Sequence, residues 1–131
     1  MSFTTQMKVR IGDVNYGGHV GNDHFLLYFH EGRLRFLESF GFSELDIGQG
    51  VSLIMSEAHV FYKSQLRYGD DIEINVTVSD IGKVRFKMNY EITNKHTGIL
   101  AAEGYTMMSG FDYVKNKLSR LPQKFISIAV G

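Results

Sequence analysis

Four polar side chains near the N-terminus have the types and spacing for proton transfer: Asp13, Asn15, His19 and Glu31. A carboxylate or an imidazole can take a proton from water near neutral pH, whereas the amide of Asn15 can only orient a partner through its oxygen and its NH2. Three of the four stand in 13-DVNYGGHVGN-22, where Gly17, Gly18 and Gly21 let another group approach the main chain closely. A helix beginning near Asn22 presents unpaired N–H groups and the positive end of its dipole, a suitable place for developing negative charge. Asp13 lies two residues from Asn15, hence on the same side of an extended stretch. Glu31 follows about two turns into the helix, at a spacing that returns it toward the turn.

Each of these residues also has an ordinary structural role open to it. Asp13 can bond backbone amides of the glycine turn. His19 can pack beside the helix start as a hydrogen-bonding side chain. Glu31 can pair with Arg35 at i,i+4, which is worth a few tenths of a kcal/mol. Glu57 is a weaker candidate, with surface charge as its plain reading. Lys83, Arg85 and Lys87 on one polar strand face, and Lys115, Lys117 and Arg120 near the C-terminus, are cations suited to phosphate or simply to water.

The elements that must position these groups follow from hydrophobic periodicity. In 72-IEINVTV-78 and 84-VRFKMNYEI-92 apolar and polar residues alternate, which predicts two half-buried strands. The turn residues 79-SDIGK-83 join them as an antiparallel hairpin. A further strand is expected over 99–111, entered through 94-NKHTG-98, with small residues where a neighbour comes close. Others are expected over 51–66, before 68-YGDD-71, and from Phe3 to Ile11. Between them, 23-DHFLLYFHEGRLRFLESFG-41 reads as a helix with Asn22 or Asp23 as N-cap and Gly41 as its stop. Apolar residues cover it nearly all round, which predicts a buried helix. About five antiparallel strands wrapped around one long buried helix make an α+β fold.

Composition excludes several function classes. With 131 residues and 44% hydrophobic content, the chain reads as a single domain over 1–131 with one core. Fourteen basic residues balance fourteen acidic ones, giving no support for nucleic acid as a partner. The absence of cysteine removes disulfides, thiol nucleophiles and thiolate metal sites, and fits a cytoplasmic protein. His19 and His24 lack a third ligand at metal-site spacing, so no metal is expected. The longest apolar run, Phe25 to Phe29, is far too short for a membrane span, and no signal peptide is expected at the N-terminus.

The order strand, glycine turn, apolar helix and four strands resembles the hotdog fold, in the branch of 4-hydroxybenzoyl-CoA thioesterases and related acyl-CoA thioesterases. The likeness covers almost the whole chain. It rests on 13-DVNYGGHVGN-22, similar to the family's D-x-D-x-x-G-H-V-N-N turn, on 28-YFHEGRLRFLESFG-41, similar to its Y-F-E-E-A-R helix, and on 68-YGDDIEI-74, similar to its Y-G-D-x-L-x-I strand entry. The closing 112-DYVKNKLSRLP-122 resembles the usual exit from the last strand. The resemblance implies hydrolysis of an acyl or aromatic acyl thioester to the free acid and CoA, without a cofactor. It also implies a homodimer with sheets joined edge to edge, often paired again into a homotetramer, with the cleft between chains.

Asp13, Gly18, His19, Val20, Asn22 and Glu31 stay in the family's pattern, and Gly21 departs from it. Asn15 departs more sharply, because it occupies the position where the family carries its catalytic acid. A thioesterase with Asn15 would hold water through the amide and take its proton with Glu31, Asp13 or His19. Gly18, Val20 and Asn22 would frame the thioester, and Lys83 and Arg85 would meet the phosphates of CoA. The alternatives are a non-catalytic acyl-thioester binding protein, and a thioesterase or dehydratase acting on an acyl-carrier-protein thioester.

Overall fold

A computed structural model describes residues 1–131, and its frame is one antiparallel sheet crossed by a helix. The strands are β1 (Ser2–Lys8), β2 (Ser52–Tyr62), β3 (Asp71–Ser79), β4 (Arg85–Asn94), β5 (Leu100–Asp112) and the two-residue β6 (Lys117–Leu118). Their order is β1-β3-β4-β5-β2, with β6 paired to β5. The predicted hairpin is present: β3 and β4 pair with Val76 opposite Tyr90 and Val78 opposite Met88. Alternation sends Ile72, Ile74, Val76, Phe86, Met88, Tyr90 and Ile92 into the core, each at 1% exposure or less.

Two glycines set how tightly these layers close. A Cβ on Gly104 in β5 would collide with the carbonyl of His59 in β2, so this small residue permits the β2–β5 pairing. A Cβ on Gly32 would stand 2.8 Å from Ile74 Cγ2, so its bare face lets the helix cross β3 closely.

That helix, α1 (Asn22–Ser39), buries Phe25, Tyr28, Phe29, Gly32, Arg33, Phe36 and Leu37. These positions recur every three or four residues and form one stripe. The expectation of burial all round is corrected here, since Leu26 and Leu27 are exposed. Helical geometry turns these two away from the sheet, and nothing in one chain covers them. The cap is also corrected: the N-cap is Gly21, whose lack of a side chain leaves the first turn without a side-chain acceptor. The helix is not the only one. A second, α2 (Gln123–Val130), follows Pro122 and packs Phe125 against Phe42 and Phe86, with ring centroids 5.8 and 5.0 Å away. Eight residues make a helix too short to hold by itself, and its place depends on those distant rings.

The first strand ends at Lys8 instead of Ile11, because Ile11–Asp13 coils into a single 3-10 turn. The second ends at Tyr62, leaving 63–66 as a connector. No helix is long and apolar enough to cross a membrane.

Candidate functional site

The stretch after the 3-10 turn folds back on itself as a miniature hairpin. Val14 bridges Val20, the Asn15 N–H donates to the His19 carbonyl at 2.9 Å, and the Gly18 N–H returns to the Asn15 carbonyl at 3.0 Å. Gly18 adopts φ 82°, a conformation that costs a side-chain-bearing residue free energy but not glycine. The Val20 N–H donates to the Leu66 carbonyl, which ties this hairpin to the connector before β3. The chain therefore enters α1 with its glycines gathered around the helix start.

Asn15 is exposed, and its Oδ1 accepts the Gly17 N–H at 2.9 Å. Its Nδ2 lies 4.0 Å from where a Cβ on Gly21 would stand. Asp13 does not share that side, contrary to the i,i+2 expectation. It ends the 3-10 turn, so strand alternation does not apply, and its side chain turns into the protein at 5% exposure. There Oδ2 accepts the Arg10 backbone N–H at 2.9 Å and the Tyr28 hydroxyl at 3.0 Å. Burial, then the bond to Asp13, pushes the Tyr28 hydroxyl well above its ordinary range, so it stays a donor. Asp13 Oδ1 faces His24 Nε2 at 3.7 Å.

His19 is half-buried, with Nδ1 3.3 Å from the Val20 carbonyl oxygen. It lines a cavity of about 260 Å³ with Val20, Asn22, Phe25 and Tyr62. His19 Nε2 and Asn15 Oδ1 lie 3.3 and 3.2 Å from the point where a Cβ on Gly17 would stand, so the two side chains flank one small space. Glu31 pairs with Arg35 at 2.9 Å, the i,i+4 contact read from the sequence, and Arg35 is held in turn by Thr5 and the Gln6 carbonyl. Glu31 also lines a cavity of about 220 Å³ with Asp13, His24 and Tyr28. Asn22 offers its carbonyl to the Tyr62 hydroxyl at 3.1 Å. Glu57 is exposed, 3.9 Å from His59.

The fold does not bring the basic strand to this turn. Lys83 and Arg85 lie by Ser109 and Gly110 at one end of β5, whereas Tyr62, which reaches the turn, pairs with Ala102 at the other. Seven residues of strand separate them, roughly 23 Å. Lys83 is instead joined to the C-terminal segment, where its carbonyl accepts the Leu121 N–H.

Two features escaped the sequence reading. One is a buried polar chain: Arg33 donates to the Tyr90 hydroxyl at 3.0 Å, and Tyr90 exchanges a bond with Thr106 at 2.8 Å. Glu44 balances Arg33, with Oε2 3.6 Å from Nε, and its Oε1 accepts from His30 Nε2–H at 2.7 Å. Burial raises the Tyr90 pKa. The other is the pair Asp23 and His24 in the first turn of α1, read from sequence only as a cap and a lone imidazole. Asp23 heads a cavity of about 210 Å³ whose walls include Leu26, Leu27, Phe29 and Met55, with Arg33 and Thr106 also lining it. No group of three His, Cys, Asp or Glu side chains stands close enough to hold a metal ion.

This frame has clear counterparts. Residues 9–128 match the thioesterase-like superfamily. The chain belongs to that family. Its fold is that of Slr0204 from Synechocystis, a 1,4-dihydroxy-2-naphthoyl-CoA thioesterase, with a TM-score of 0.90 at 24% identity over 99% of this chain and 96% of the other. SAV2348 from Staphylococcus aureus, whose structure is a complex with CoA, gives 0.86 at 23% identity over 97% and 80%. DHNA-CoA thioesterase from Staphylococcus aureus gives 0.84 at 24% identity over 97% and 85%. The hotdog architecture expected from the motifs is thus present, with six strands and a second helix added to the expected plan.

Proposed function

We propose that the protein hydrolyses an acyl-CoA thioester to the free acid and CoA. The observation that carries this reading is the start of α1: a first turn without a side-chain cap, framed by Asn15 and the glycine hairpin, at the head of an apolar cavity. Free N–H groups there would donate to the oxyanion formed when water attacks the thioester carbon, a contribution of about 3 kcal/mol to the barrier. Asn15 would hold the water or the carbonyl, since an amide can orient but not deprotonate. His19, Asp13 and Glu31 flank the turn, but Asp13 is engaged by two donors and Glu31 by Arg35.

The working unit is a homodimer, paired along the free edge of β2. That edge is eleven residues long and exposes Met55, Phe61 and Tyr62. Antiparallel pairing of two β2 strands would set one chain's Lys83 and Arg85 toward the other's turn, where they would meet the phosphates of CoA. A thiol-release assay over aromatic and straight-chain acyl-CoAs tests the activity, with turnover of at least one ester expected. Silence across the panel from folded protein sinks it.

Asn15 itself favours a second reading, a protein that binds acyl thioesters without turning them over. Tight binding of an intact CoA ester in calorimetry, with no thiol release, would decide for it. A carrier-protein thioester as the true substrate would show as preference over free CoA esters in competition.

A further inference from the structure

The two departures from the family's turn, Asn15 and Gly21, converge on one spot. Asp23 Oδ1 lies 2.8 Å from where a Cβ on Gly21 would stand, and Asn15 Nδ2 lies 4.0 Å from that same point. An acid is missing at 15 and a side chain is missing at 21, and the Asp23 carboxylate stands where a side chain at 21 would be. We propose that Asp23 is the general base that replaces the absent acid, and that Gly21 is the vacancy that admits it. The proposal rests on the thioester-hydrolysis reading above.

Four observations support it. Asp23 belongs to the first turn of α1, beside the N–H groups assigned to the oxyanion, so base and oxyanion donors share one end of the helix. A carboxylate is favourable there because the helix presents its positive end. It also lines the apolar cavity running along Leu26, Leu27 and Met55, so a thioester with its acyl group in that cavity has its carbonyl carbon near Asp23. Third, the carboxylate is uncommitted. Its side chain is 84% exposed, and its recorded partner is His24 Nδ1 at 3.5 Å. Asp13, by contrast, has two donors on one oxygen, and Glu31 is tied to Arg35. Finally, Asn15 Nδ2 stands across the gap as a donor for the water oxygen that Asp23 would deprotonate.

The step balances without any further reagent. Asp23 takes one proton from water as the water oxygen bonds to the thioester carbon. The tetrahedral intermediate then collapses, the C–S bond breaks, and the departing sulfur takes the proton from Asp23. Free acid and thiol leave, and the carboxylate is regenerated.

The experiment is steady-state thiol release by wild type, Asp23→Asn, Gly21→Ala and the double variant Asn15→Asp/Asp23→Asn, each checked for native circular dichroism. Asp23→Asn should lower kcat by about 100-fold or more with little change in KM, the scale of a lost general base. Gly21→Ala displaces only the end of the Asp23 side chain, from a backbone φ of −71° that alanine adopts freely, so it should fold and lose about tenfold in kcat. Asn15→Asp placed in the Asp23→Asn background should recover at least tenfold, a rescue that a merely helix-stabilising Asp23 would not show. An active wild type whose Asp23→Asn variant keeps its rate, or loses it without rescue, overturns the assignment of Asp23 alone. A wild type silent across the acyl-CoA panel overturns the hydrolytic reading and the base with it.

Discussion

Helix α1 carries polar groups in two settings, and the contrast separates what holds the fold from what is free to react. On its inner face Tyr28 and Arg33 are buried and bonded, the first to Asp13 and the second to Tyr90 and through it to Thr106. At its first turn Asp23 is exposed, Asn15 opposes it from the glycine hairpin, and no side chain caps the helix. Buried polar groups cost free energy when unsatisfied, so the inner set is engaged with its neighbours, although Arg33 Nε is left without a hydrogen bond, 3.6 Å from Glu44. The rim set is held only by the Gly17 N–H on Asn15 and by His24 beside Asp23, which leaves it able to meet a substrate. Two aspartates ten residues apart, Asp13 and Asp23, thereby sit in opposite surroundings.

The contrast predicts large stability effects inside and small ones at the rim. Arg33→Ala should cost the most, about 3 kcal/mol or more in urea unfolding, because it leaves the buried Tyr90 hydroxyl without its donor, deprives the half-buried Glu44 of its cation and opens a cavity beneath the helix. A loss under about 1 kcal/mol would mean that the inner chain is not structural. Tyr28→Phe comes next. It removes a donor from a buried carboxylate and should cost about 2 kcal/mol.

The same tyrosine gives a pH signature. Its pKa is raised in the folded state, so its contribution is complete below the ordinary tyrosine value near 10 and is lost as pH rises above it. Wild-type stability should therefore fall more steeply above pH 10 than that of Tyr28→Phe, with Tyr90 adding to the slope in both. Parallel curves would break the assignment.

At the rim, Asp23→Asn should cost only about 0.5 kcal/mol through the helix dipole while the rate collapses. Glu31→Gln should lose a few tenths of a kcal/mol with its exposed Arg35 pair. A loss of several kcal/mol at either position would erase the distinction between the two settings.

Much of the frame was legible because burial on one sheet face writes a period of two into the residues themselves. The β3–β4 hairpin, the strand after 98 and the helix after 22 all lie where that periodicity and the turn residues put them. What was not legible depended on partners far along the chain. α2 is fixed by Phe125 meeting Phe42 and Phe86, and Arg33 finds its hydrogen-bond acceptor in Tyr90, fifty-seven residues on. In the site, the Glu31–Arg35 pair was readable because i,i+4 neighbours on a helix always face each other. The inward turn of Asp13 was not, since three residues of 3-10 helix undid the alternation assumed for that stretch.

The sequence by itself determined the strands, the main helix, the glycine turn at its start, the family likeness and the doubt raised by Asn15. Those are properties of local pattern: alternation, backbone freedom at glycine, and the plain fact that an amide cannot take a proton. Only the tertiary structure decided which acid faces inward and which stands opposite Asn15. Asn15 and Asp23 are eight residues apart, and nothing in their spacing announces that they share a place. They come near one point because the hairpin between Val14 and Val20 folds the chain back, and because Gly21 carries no side chain there.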